Sequence, residues 1–105
     1  HKRLYCVFQP HTYTRTYTLF KEFTEAFDGL DKLILVDIYA AREKDTGLVS
    51  SRMLCDAVKE RGVNCQYAGS FEEALSILRN ELKPGDVLIT MGAGDVFKIG
   101  DMYLK

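Results

Sequence analysis

"RLYCVFQPHTYTRT", residues 3–16, is the stretch on which the reading of the whole chain turns. Residues 3–8 are a short apolar run rich in strand formers, and Pro10 ends it. Helical spacing starts directly afterwards. Leu19, Phe20, Phe23, Ala26 and Phe27 recur at three- and four-residue intervals, which predicts a helix over 14–27 with Gly29 as its stop. A buried strand thus runs straight into an amphipathic helix, and the polar corner between them holds His11 and Arg15.

Outward from this corner the alternation repeats. "KLILVD" (32–37) reads as a second buried strand, and the polar "YAAREKDTGLVSS" (39–51) leads into a helix near 51–61. There Leu54, Ala57 and Val58 share a face, and Gly62 supplies the stop. "VNCQYA" (63–68) is a third strand. Ser70 and Glu73 form a capping box for a third helix, with Phe71, Ala74, Leu75, Leu78 and Leu82 inward. "KPGD" (83–86) is a turn, "VLITM" (87–91) a fourth strand, and "GAGD" (92–95) opens a last helix carrying Val96, Ile99 and Tyr103. With no repeat or linker, residues 1–105 read as one domain.

Strands alternating with helices imply right-handed βαβ crossovers. The expected fold is α/β, a three-layer αβα arrangement with a mainly parallel sheet covered on both faces and the first strand central. Ligands of such sheets bind beyond the carboxyl ends of the strands. Residues 9–16, 37–50 and 92–95 fall there.

Composition excludes several classes. A net charge of −1 recommends neither nucleic acid nor an anionic membrane as partner. No apolar run approaches the roughly 18 residues of a membrane span, and no signal-peptide pattern opens the chain. Cys6, Cys55 and Cys65 are odd in number, form no CxxC pair and lie in or near apolar segments, so they read as buried, reduced thiols. The histidines are His1 and His11 alone, and no Cys/His cluster has metal-ligand spacing, so no metal site is expected.

Three segments carry candidate chemistry. Gly92, Gly94 and Asp95 sit between a strand and a helix, where glycine allows close backbone approach, either for a tight turn or for a ligand. Phe97 replaces the third glycine of a dinucleotide fingerprint, and the chain has no phosphate loop. At the first corner, Thr12 or Thr14 can cap the helix. Arg15 is out of place in a first helical turn, which favours acids, unless it meets a carboxylate or phosphate. Residue types alone leave that corner open between a capped turn and an anion site. Asp37 and Glu43 either hold an ammonium or a metal, or simply solvate their loop.

Taken together, "VFQPHTYTRT", "LVDIYAAREKDTG" and "MGAGD", in this order and at these intervals, resemble the C-terminal domain of the alanine-adding members of the Mur ligase family. The resemblance runs over essentially all 105 residues. It implies a Rossmann-like domain from a three-domain bacterial cytoplasmic enzyme of peptidoglycan synthesis. It further implies that N-terminal and central domains of the same chain bind the UDP-sugar, ATP and Mg2+, and that this domain alone catalyses nothing. The implied reaction joins L-alanine to UDP-N-acetylmuramate through an acyl phosphate. His11 and Arg15 would then grip the alanine carboxylate, with Thr12 beside them, and Tyr39, Glu43, Gly92, Gly94 and Asp95 would be cleft residues. Two positions depart from the family pattern: Thr12 stands where many relatives carry arginine, and Arg42 where they carry glycine. The family's domain begins further upstream, so His1 reads as an interior point of a longer chain and one strand–helix unit as missing. The competing reading is a free-standing flavodoxin-like α/β binding or interaction module.

Overall fold

The structure, a computed structural model, describes residues 3–45 and 47–92. Strands β1 (Leu4–Gln9), β2 (Lys32–Val36), β3 (Cys65–Gly69) and β4 (Val87–Gly92) form one sheet in the order β3-β2-β1-β4. Every neighbouring pair is parallel, and β1 is internal, as the crossover rule requires.

Two-residue alternation along the strands sorts the core into two layers. Cys6 and Phe8 of β1 and Leu33 and Leu35 of β2 face one way, against Leu54, Cys55 and Val58 of α3 (Ser51–Glu60). Tyr5, Val7, Ile34 and Val36 face the other way, against Ala74 and Leu78 of α4 (Phe71–Glu81). With both faces covered, every residue of β2 is buried. Lys32 joins them by laying its stem in the interior while its ammonium pairs with Glu81 at 2.5 Å.

Local signals place the helices on the sheet. Ser50 caps α3 by accepting from the Met53 N–H, and Ser70 caps α4 by accepting from the Glu73 N–H. The Ser51 hydroxyl donates to the Val36 carbonyl at 2.5 Å, tying the start of α3 to the end of β2. All three cysteines are buried, and none forms a disulfide. Burial pushes the Cys6 thiol up to about 11. A hydrogen bond between Cys65 and Cys55 raises the first thiol and lowers the second.

The structure departs from the sequence pattern in three places. The helix expected over 14–27 forms as two pieces, α1 (Tyr13–Thr18) and α2 (Phe20–Glu25), because Leu19 leaves helical geometry at φ −103°, ψ 19°. Alternate positions of α1 are β-branched threonines, and the Thr16 hydroxyl bonds back to the Thr12 carbonyl at 2.7 Å, both of which weaken a helix. The break lets Phe23 and Phe27 each meet the Phe8 ring at 5.3 Å between centroids. The third strand starts at Cys65, not at Val63, and the fourth runs on to Gly92. The last helix, with Val96, Ile99 and Tyr103, lies outside the described residues. Among the described residues no helix is long and apolar enough to cross a membrane.

Candidate functional site

The loops that follow β1 and β2 are joined at the carboxyl end of the sheet. The Pro10 carbonyl accepts from the Tyr39 N–H at 2.8 Å, and the Thr12 N–H donates to the Tyr39 carbonyl at 2.7 Å. The result is an isolated parallel bridge between His11 and Tyr39, whose rings stack at 5.7 Å. Thr12 lies at φ 63°, ψ 149°, a region essentially reserved for glycine that costs a β-branched residue about 1–3 kcal/mol. Its hydroxyl oxygen accepts from the Arg15 N–H at 3.2 Å, so Thr12 is the helix cap.

Arg15 therefore projects from the first turn of α1. Its side chain makes no ion pair or hydrogen bond among the described residues. It opens onto a cavity of about 350 Å³ shared with His11 and Gly92, against an apolar wall of Phe8, Leu19 and Phe23. Three of the sequence candidates, His11, Arg15 and Gly92, thus meet in one place. The reason for Gly92 is internal: at φ 121°, a Cβ would stand 2.2 Å from the Gln9 carbonyl oxygen. This glycine serves the close approach of β4 to β1. Gly94 and Asp95 lie outside the described residues.

Tyr39 is 43% exposed and reaches the corner through His11. Glu43 turns instead to the amino end of α1. One carboxylate oxygen accepts from the Tyr13 and Thr14 N–H groups at 2.6 and 3.1 Å, and the other from the Thr14 hydroxyl at 2.6 Å. The Thr14 hydroxyl and backbone bonds, with that from Tyr13, hold its pKa below the usual carboxylate value, and nearby His11 helps. Asp37 accepts from the Tyr67 hydroxyl and raises that phenol's pKa. The two carboxylates thus have different partners. Between them, Ala41 and Arg42 adopt φ 50° and 77°, so Arg42 holds the left-handed conformation that glycine ordinarily takes.

Gln9 was not among the sequence candidates. It is buried at the end of the central strand; its amide nitrogen donates to the Asp37 carbonyl at 3.3 Å, and its Oε1 has no partner among the described residues. The available signal was an amide at an inward position of an apolar strand. As for cofactors, the described residues contain no group of three His, Cys, Asp or Glu able to hold a metal, and the chain has no phosphate loop.

A parallel α/β sheet with its helices on both faces defines a Rossmann-like domain, here with a cationic corner at its carboxyl edge. The chain belongs to the Mur ligase family: the family's profile, described as the Mur ligase glutamate ligase domain, matches residues 1–94. It is 59% identical over 105 residues to a UDP-N-acetylmuramate–L-alanine ligase of Clostridium novyi, covering 100% of this chain and 23% of the relative. A ligase of the same name from Clostridium tetani is 57% identical over 103 residues, 98% of this chain and 23% of that protein. The solved structure of the UDP-N-acetylmuramate-alanine ligase MurC from Thermotoga maritima superposes with a TM-score of 0.74 at 18% identity. That match covers 99% of this chain and 20% of the other, and it supports the three-layer fold.

Proposed function

We propose that this chain is the amino-acid-binding C-terminal domain of a ligase that joins L-alanine to UDP-N-acetylmuramate in the bacterial cytoplasm, with Arg15 and His11 taking the alanine carboxylate. The observation that carries the reading is the Arg15 guanidinium, unpaired among the described residues, at the mouth of the cavity. A guanidinium without a protein partner is matched by a carboxylate, which its planar fork binds bidentately. His11 is braced by Tyr39, and the Thr12 hydroxyl keeps a proton to donate. The names of the relatives give the amino acid.

In this reading the domain's contribution is positioning. Anchoring the carboxylate restricts the rotation of alanine, so its amine is presented to the acyl carbon of the activated UDP-N-acetylmuramate, and orientation of this kind supplies much of a rate. Closure over that centre protects the acyl phosphate from water. Activation with ATP and Mg2+ belongs to the N-terminal and central domains. This assignment is favoured over a free-standing module by relatives of which the chain spans only 23%.

The reading also has the domain completed by an upstream strand–helix unit. Val87, Ile89 and Met91 are exposed, and they stand in register with Leu4, Cys6 and Phe8, hence on the α3 face of β4. A right-handed crossover entering β1 from a strand beyond β4 lays its helix over those three residues.

The test is kinetic, in the full-length enzyme. Losing a hydrogen-bonded charge costs about 1.5–3 kcal/mol, so Arg15→Ala should raise the KM for L-alanine about 10- to 150-fold and leave that for ATP near its wild-type value. Unchanged alanine kinetics would remove Arg15 from the site.

A further inference from the structure

We infer that Glu43 is the positioning residue of this corner: reaching over from the loop between β2 and α3, it fixes the first turn of α1 and thereby the place of the Arg15 guanidinium. The inference rests on the assignment of Arg15 to the alanine carboxylate.

The first four N–H groups of a helix have no partner within it. In α1 each is accounted for. The Thr12 N–H, at the cap, donates to the Tyr39 carbonyl at 2.7 Å, and Arg15 to the Thr12 hydroxyl at 3.2 Å. Tyr13 and Thr14, the first two residues of α1, donate to Glu43. The first turn contains no acid of its own and does contain Arg15, so the carboxylate that the helix dipole favours comes from 29 and 30 residues away. A helix of six residues is too short to hold itself together, and α1 depends on such ties.

Glu43 does not itself line the cavity of Arg15 and His11; it lines a separate one with Tyr13 and Thr14. An acid inside the first cavity would repel a substrate carboxylate. Turned away, with its oxygens covered by two N–H donors and one hydroxyl, it orders the helix without opposing the ligand. The positive φ values at Ala41 and Arg42 are the turn that brings it there. Together with the Pro10–Tyr39 and Thr12–Tyr39 bonds, they make the two loops one hydrogen-bonded unit.

Steady-state kinetics of full-length variants test this. Glu43→Ala should raise the KM for L-alanine about tenfold, with the KM for ATP and for UDP-N-acetylmuramate unchanged. Glu43→Gln, which keeps an acceptor oxygen, should fall between Glu43→Ala and wild type. Thr14→Val, which removes one of the three bonds, should do likewise, and these two keep the test open if Glu43→Ala fails to fold. Because Glu43 acts through Arg15, the double variant with Arg15→Ala should show the alanine KM of Arg15→Ala alone. Three results overturn the inference while leaving Arg15 in place: alanine kinetics indifferent to all three substitutions, an equal rise in the KM of every substrate, or full multiplication of the two effects in the double variant. An Arg15→Ala enzyme with normal alanine kinetics removes both the inference and the site reading it rests on.

Discussion

Thr12 occupies a backbone conformation that suits glycine, yet it is held there by its own side chain. Its φ of 63° is strained for a β-branched residue, and its hydroxyl caps α1. The two effects predict an unusual order of substitutions. Thr12→Ala keeps the strain and loses the cap, at a cost of about 1 kcal/mol. Thr12→Gly relieves the strain and retains most of the capping preference, so it should be the more stable of the two in urea unfolding. The reverse order would mean that the positive φ is not the controlling feature. At this scale the sequence was informative about identity and less so about reason. Residue types left the corner of His11 and Arg15 open, and it was the resemblance of "FQPHTYTRT" to a family pattern that singled the two out. Gln9 was not legible, because burial of an amide is invisible until the strand's inward face is known.

At the scale of elements, α4 was legible from Ser70 and Glu73, and α3 from the shared face of Leu54, Ala57 and Val58 with the stop at Gly62; the Ser50 cap emerged only in the structure. The division of α1 from α2 was not legible, since the apolar periodicity continues through Leu19 and only the backbone reveals the break. Nor was the contact of Glu43 with α1, in which a loop meets a helix that precedes it by 29 and 30 residues. That contact carries a pH signature. Its folded-state pKa is lowered, so its stabilising effect is present above the ordinary glutamate value of about 4.3 and is lost as pH falls through the lowered one. Thermal melts across the acid range should show a shallower decline for Glu43→Gln than for wild type. Parallel declines would indicate that the carboxylate is not held by α1.

The whole molecule follows from its alternation of strands and helices, and this was its most legible level. A sheet of order β3-β2-β1-β4 with two apolar layers is what right-handed crossovers and largely apolar central strands produce. The outer face of β4 is the exception. The proposed upstream helix should shield Ile89→Cys from a thiol reagent in the full-length protein, and rapid labelling would contradict that placement. The central claim concerns the other end of the sheet, where the corner after β1 receives the amino acid. A crystal structure of the full-length enzyme with L-alanine bound tests it most directly. The account predicts the alanine carboxylate within about 3 Å of the Arg15 guanidinium and beside His11. An alanine carboxylate held elsewhere, with Arg15 facing solvent, would contradict it.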